Sequence, residues 1–295
     1  MVQTGSIGVS LIDLHTHTNE SDGTYTPAEL IHAALDRKLD ALAITDHDTF
    51  AGYDLARPLA RGQNFDLVCG IELSTRIALS RGGLKTVHLL GYFLCEPPSF
   101  AFRHWLSELQ AERKARNIKL IANLRASGVE IELGEVEALG RSLAGRPHFA
   151  RILVQKGYSK STDHAFRDYL GETAPGFVER ESPDIALAIQ QVIAGGGIPV
   201  AAHPIRLGLR DAEDEEAAIA DMRDAGLQGL EVYHSDHSPA DAARYLSLAG
   251  KYGLAVTGGS DFHGANKPKI GLGSGMGGNV NVPKQVLDNL RKLCG

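Results

Sequence analysis

Two histidines one residue apart close the first short apolar run, in the stretch Asp13, Leu14, His15, Thr16, His17, and Asp261 and His263 repeat the spacing near the end. Side chains at i and i+2 of a strand share a face, so His15 and His17 can reach one ion, with Asp13 on the same side. His47 follows the apolar run 41–45, Glu72 follows VCGI, His88 lies in a fourth run and His203 follows the run 199–202. Asp22 stands five residues after the first pair. Six of the twelve histidines therefore fall at or near the ends of apolar runs. A carboxylate such as Glu72 at the end of a buried strand costs several kcal/mol unless cations surround it. Arg76 or Lys85 is available, but bridged metals account better for this many imidazoles and carboxylates converging on one rim. Imidazole nitrogen and carboxylate oxygen without thiolate suit Mn, Zn or Fe in a catalytic position. Nine ligands are too many for one ion and about right for three.

The elements that must position these groups alternate. Apolar runs at 11–14, 41–45 and 67–73 read as strands, and Pro27 after Thr26 opens a helix. The run 87–94 reads as an edge strand or ribbon. From about 98 to 178 the pattern is helical only, with a long charged helix over 105–126 and shorter ones near Glu135, 147–155 and 163–169. After Pro183 the β/α rhythm returns, with strands at 199–202, 230–232 and 255–258. The expected architecture is an α/β barrel formed by residues 8–97 and 179–295, with residues 98–178 as a helical insert over its mouth. In such a barrel the rim at the strand C-termini carries the chemistry.

Composition narrows the class. A chain of 295 residues with 43% hydrophobic and 22% charged residues can bury a full core, which excludes disordered and fibrous proteins. A formal charge of −6 argues against holding long nucleic acid through a broad basic face. Cys69, Cys95 and Cys294 lie far apart in an odd-numbered set, so no disulfide framework or thiolate site is expected and a reducing compartment fits. The N-terminal segment has no basic, apolar leader pattern and no run approaches a membrane span, so the reading is cytoplasmic with no membrane partner. The run GLGSGMGGNV at 271–280 lacks the preceding strand and following Lys-Ser or Lys-Thr of a phosphate loop and reads as a loop closing the barrel.

The motifs DLHTHT, SDG, TDHD, GIELS, VHLLGY, AAHP and GSDFHG, in this order from Leu11 to Gly264, resemble the polymerase and histidinol phosphatase (PHP) family. The resemblance implies a distorted (β/α)7 barrel with a trinuclear metal site, probed in this chain as His15, His17, Glu72 and Asp261 for one ion, Asp22, His47 and His263 for a second, and Glu72, His88 and His203 for a third. Asp22 replaces a histidine present in some relatives, which favours Mn or Fe over Zn. The insert sequences GRPHFARILVQKGY and AFRDYLG resemble stand-alone members that act on nucleotides with 5′ and 3′ phosphates, some of which trim short RNA from the 5′ end. The implied activity is hydrolysis of the 3′-phosphate of a nucleoside 3′,5′-bisphosphate by a metal-bound hydroxide. The alternatives are a 5′–3′ exonuclease, a histidinol-phosphate-type phosphatase, an amidohydrolase acting at carbon, or a non-catalytic metal-binding module.

Around the metals, Asp13 and Asp46 are candidates to orient ligand imidazoles, with a helix N-cap as the alternative for Asp46. His234 is a candidate general acid or a rim residue bonded to the ligand shell, and His237 is read as solvated. A second phosphate needs further cations, and Arg206 and Arg146, with His148, are the candidates. Arg113, Arg116 and Asn117 on the long helix read as a solvated face. The expected partner is a small phosphorylated substrate; the sequence says nothing of oligomeric state.

Overall fold

The computed structural model describes residues 11–79, 82–140, 144–179, 182–209 and 211–294. The N-terminal reading and the barrel start expected at residue 8 lie outside them. Strands β1 (Leu11–Asp13), β2 (Ala41–Ile44) and β3 (Asp66–Ala78) pair in parallel, followed by β4 (Leu84–Phe93), β5 (Ile198–Ala201), β6 (Gly229–His234) and β7 (Ala255–Gly259) in order around one sheet. The ring nearly closes where Leu14 N–H donates to Gly258 O at 3.2 Å and Thr16 bridges Phe262.

The distortion is β4. It runs antiparallel to both β3 and β5, so it is an interior strand of the sheet and not the edge ribbon expected from its sequence. Its pairing with β3 puts His88 opposite Ser74, two positions beyond Glu72. His88 thus reaches the rim from the N-terminal half of a reversed strand, and Glu72 from the middle of β3, which runs on to Ala78 and does not end at residue 73 as expected; His15, His17, His47, His203, Asp261 and His263 follow the ends of forward strands.

Alternation along the strands divides the core. Ile12, Leu14, Ala41, Ala43, Leu90, Tyr92, Val200 and Ala202 pack in one cluster with Val286, Leu287 and Leu290 of the C-terminal helix. The intervening Leu42 and Ile44 pack with Leu30 and Ile31 of α1 (Pro27–Asp36), and Leu89 and Ala201 with Ile189 and Ile219 of two later helices, α7 (Ile185–Ala194) and α8 (Ala212–Asp224). α1 starts at Pro27 as expected, with Thr26 and Glu29 closing a reciprocal cap. α2 (Ala51–Ala60) follows β2, and α9 (Pro239–Tyr252) lies between β6 and β7.

Between β4 and α7 the described residues carry helices only: α3 (Phe100–Ala126), α4 (Leu133–Gly140), α5 (Arg146–Gln155), α6 (Thr162–Ala165) and a wider turn, Phe166–Leu170. They share a separate core built on Leu120, Leu124, Phe149, Leu153 and Leu170. The glycine-rich run forms a small hairpin, β8 (Ile270–Gly271) with β9 (Gly275–Met276), before β10 (Val282–Pro283) pairs antiparallel with β1.

α10 (Gln285–Arg291) spans the end where the parallel strands begin: Arg291 Nη2 donates to Asp66 Oδ2 at 2.5 Å and Cys294 is bonded to Cys95 just past β4. That bond corrects the expectation that the three distant cysteines form no disulfide framework; the sequence separation of 199 residues hid a contact made only by chain closure. Cys69 is free and buried. No helix among the described residues is long and apolar enough to cross a membrane.

Candidate metal and phosphate site

Backbone pairing beyond the strand ends assembles the rim. Asp261 N–H donates to His15 O at 2.8 Å and His17 N–H to Phe262 O at 2.9 Å, which zips DLHTH to SDFH. Asp48 N–H donates to Glu72 O at 3.0 Å, which joins TDHD to GIELS. Three residues at this rim hold left-handed backbone, Asp48 at φ 52°, His203 at φ 24° and Asp261 at φ 57°. Such conformations cost on the order of 1–3 kcal/mol and collect at functional sites.

Glu72 is the centre. Its Oε1 is 2.8 Å from both His88 Nδ1 and His203 Nε2, and its Oε2 lies 3.1 Å from His17 Nε2 and 3.3 Å from His15 Nε2 and His47 Nδ1. Neither Arg76 nor Lys85 supplies a counter-charge within salt-bridge distance, so five imidazoles are its immediate surroundings. Asp261 Oδ1 sits 3.4 Å from His17 Nε2 and His263 Nδ1, and Asp22 Oδ1 is 3.2 Å from His263 Nε2. All nine sequence-predicted ligands are thereby brought together. Among the described residues four groupings fall within reach of one ion each: His15, His17, Glu72 and Asp261; His17, Asp22, His47 and His263; His47, Glu72 and His88; and His15, Glu231 and His234; His203 is in none of them and joins the cluster through its contact with Glu72 Oε1.

The donor set fits metal cations. His15 Nε2, His17 Nε2 and His47 Nδ1 are buried, face carboxylate oxygens and make no hydrogen bond. Unpaired buried polar atoms are costly, and lone pairs converging on shared carboxylates are what a divalent ion needs. Burial would raise the Glu72 carboxyl, yet the His47, His88 and His15 rings hold it well below the usual carboxylate range. Burial pushes His47 and His203 down to about 3, whereas at His15 and His17 the neighbouring carboxylates overcome burial and raise the rings, His17 to about 9, so without an ion the carboxylates draw protons onto these two rings.

The neighbouring acids hold backbone. Asp13 accepts from the N–H groups of His15, Ser260 and Gly273 and from Ser260 Oγ, so it locks the end of β1 to the segment after β7 and touches no imidazole. Asp46 accepts from Thr18 N–H at 2.7 Å, Thr18 Oγ1 at 2.7 Å and Ser21 Oγ at 2.6 Å; it fixes the loop carrying Asp22 and caps no helix, since Phe50 precedes α2. His234 is buried, accepts from Asp236 N–H on Nδ1 and places Nε2 3.4 Å from Asp261 Oδ2. It does not line the cavity, a position that suits the rim role better than meeting a leaving group. His237 is not solvated: it is 5% exposed and donates from Nδ1 to Val232 O at 2.7 Å.

A cavity of about 330 Å³ opens over the cluster. Its floor includes Asp22, His47, His88, Asp261 and His263, and its walls carry Arg146, His148 and Arg206, the three residues expected to meet substrate. Arg206 Nη2 lies 2.8 Å from Asp261 Oδ2. His148 is buried and accepts the Gly145 N–H on Nδ1, and burial lowers its pKa, so it contributes a neutral ring and not a cation.

Four functional neighbours escaped the sequence reading. Arg113 and Arg116 also line the cavity; both are buried, contrary to the solvated face expected of α3, and Asn117 beside them donates to Ala144 O at 2.6 Å. Arg113 pairs with Asp48, itself fixed by Ser74, so α3 is tied to the rim through the second acid of TDHD. Lys267 Nζ is 2.6 Å from Asp261 Oδ2 and also lines the cavity. Glu231, in LEVYH, contacts His15 and His203; an acid inside an apolar strand was the available signal, the same one that exposes Glu72.

Comparisons with known proteins identify the family and the fold. The PHP domain family matches residues 13–139. The chain is 34% identical over 257 residues to a 3′,5′-nucleoside bisphosphate phosphatase of Chromobacterium violaceum, covering 85% of this chain and 87% of the relative. It is 32% identical over 253 residues to a 5′-3′ exoribonuclease of Haemophilus influenzae, covering 85% and 89%. A solved structure of a proposed metal-dependent phosphoesterase from Bifidobacterium adolescentis superposes with a TM-score of 0.79 at 31% identity over 95% of both chains. Together with the imidazole and carboxylate groupings, these relatives support use of divalent metal. The nearly closed barrel, the rim motifs and the whole-chain matches lead to one conclusion: this protein belongs to the PHP family of metal-dependent phosphoesterases.

Proposed function

We propose that the protein is a phosphoric monoester hydrolase that removes the 3′-phosphate of nucleoside 3′,5′-bisphosphates. The observation that carries this reading is one cavity with two chemistries: a floor of imidazoles and carboxylates, and walls bearing Arg113, Arg116, Arg146, Arg206 and Lys267. A substrate with two phosphates needs both, one group over the metals and one in an arginine fork.

Three divalent cations, Mn²⁺ before Fe²⁺ or Zn²⁺, would be held by His15, His17, Glu72 and Asp261; by Asp22, His47 and His263; and by Glu72, His88 and His203. When bound, such ions supply neutralisation of the phosphoryl oxygens and water of lowered pKa. The chain's own residues do the rest. Arg206 and Lys267, both on Asp261 Oδ2, stand where they meet a phosphate entering over the floor. Arg113, braced by Asp48, and Arg146 at the start of α5 receive the second phosphate. The helical residues 98–178 act as the cover that limits substrate length and keeps bulk water from the phosphate.

The exoribonuclease reading has one observation of its own. A groove of about 180 Å³ beside the cavity shares Arg113 and Arg116 with it and runs along α3 from Leu109 to Lys119, a path for a further nucleotide. Phosphate release and product length, measured with Mn²⁺ on a nucleoside 3′,5′-bisphosphate, a nucleoside monophosphate, histidinol phosphate and a short 5′-phosphorylated oligoribonucleotide, separate these readings. Preferred release from the bisphosphate is expected; shortening of the oligonucleotide with no release from the bisphosphate, or no release from any ester with metals bound, would overturn the proposal.

A further inference from the structure

Glu231 sits on β6, fully buried beneath the cluster, and the mechanism above leaves it unused. Its two oxygens have different partners. Oε1 is 2.8 Å from His15 Nδ1, and Oε2 accepts the backbone N–H of His203 at 2.7 Å. His15 faces the cluster with its other nitrogen, Nε2, which lies 3.3 Å from Glu72 Oε2 and 3.6 Å from Asp261 Oδ1 and makes no hydrogen bond. His203 reaches Glu72 from the strained backbone at φ 24°.

The chemistry of the two contacts selects the side chain. A neutral imidazole carries one N–H, so a carboxylate on Nδ1 leaves the lone pair on Nε2. The His203 amide is a donor in every state. Two donors converge on one residue, and only an ionised carboxylate accepts from both; glutamine, of the same shape, must turn its NH₂ toward one of them.

We infer that Glu231 is a positioning residue: it fixes the His15 tautomer with Nδ1 protonated and pins the His203 backbone, so that both rings present lone pairs to the divalent cations at Glu72. The inference rests on the metal reading of the cluster and is independent of the substrate. Although His15, Glu231 and His234 also come within reach of one another, His15 can serve an ion there only by turning away from Glu72 and Asp261. Glu231 therefore acts behind the ligands, as carboxylates behind metal-bound histidines commonly do.

The test titrates Mn²⁺ against a chelator in wild type and Glu231→Gln, with thermal unfolding of both apoproteins. Glu231→Gln is expected to bind Mn²⁺ about 10- to 100-fold more weakly, with an unchanged number of ions at saturation. Unchanged affinity with a lowered Tm would make the role merely structural and overturn the inference, and loss of one whole ion would make Glu231 a ligand and overturn it too. A second measurement needs no variant at Glu231. In wild-type protein loaded with Zn²⁺, ¹⁵N histidine spectra, with His15 assigned by its loss in His15→Gln, should show His15 protonated at Nδ1; protonation at Nε2 would contradict the inference. Weakened Mn²⁺ binding in a protein inactive on every phosphate ester would uphold the positioning role while the substrate proposal falls.

Discussion

At the scale of single residues, the site is organised around who meets Glu72. Five imidazoles lie within 3.3 Å of its two oxygens, and the arginines stand one layer out, on the cavity wall. Arg113 is the most informative of these, because its pair with Asp48 holds a long side chain in one place at the mouth. Hydrogen bonds from a charged group contribute about 1.5–3 kcal/mol, so Arg113→Met is expected to lower kcat/KM on a bisphosphate by about 10- to 100-fold, through KM, with metal content intact. Steady-state kinetics beside metal analysis checks this; equal loss on a bisphosphate and on a monophosphate would detach Arg113 from the second phosphate. That these nine imidazole and carboxylate residues meet at one rim was legible in the sequence because metal chemistry restricts residue types and the motifs recur at or near apolar runs. Arg113 and Arg116 were not: a charged helix face looks the same whether it meets water or the mouth of a barrel, and only the docking of α3 distinguishes them.

At the scale of elements, the barrel seam decides whether the ligands meet. β7 passes β1 so closely that a Cβ at Gly259 would collide with the His15 backbone. Gly259→Ala must therefore push β1 and its two histidines away from Asp261 and His263. Overpacking of this kind costs about 1–3 kcal/mol, and here a fall in Tm with weaker Mn²⁺ binding is expected; a variant with wild-type Tm and metal affinity would show that the seam is not what aligns the two motifs. The alternation of the forward strands was readable from apolar runs ending in polar residues. The reversed direction of β4 was not, since an apolar run has the same composition in either direction and only its two partners, β3 and β5, fix its sense. His88 was found by its motif, yet its route to the rim, from the start of a strand, became visible only with the pairing.

At the scale of the whole molecule, two ends of the barrel have separate tasks. One carries the rim; the other is closed by α10, by the Arg291 contact to Asp66 and by the bond between Cys95 and Cys294. A disulfide typically contributes about 2–4 kcal/mol, with longer loops at the upper end or above it. Cys294→Ser should lose that stability in oxidising buffer and match wild type under reductant, as denaturant unfolding would report; no difference in oxidising buffer would mean the bridge does not hold the closing helix. The formal charge of −6 also takes a local meaning. Asp22 and Asp261 lie at the cavity floor while Arg113, Arg116, Arg146, Arg206 and Lys267 line the same cavity, so charge of both signs is concentrated at the rim. The imidazole and carboxylate groupings under that cavity are the proposed metal site. Metal content and phosphate release from a nucleoside 3′,5′-bisphosphate, measured together in wild type and Glu72→Gln after loading with Mn²⁺, test it most directly: wild type should hold several ions and turn over, and the variant should lose metal and turnover together, whereas a variant retaining both would contradict the account.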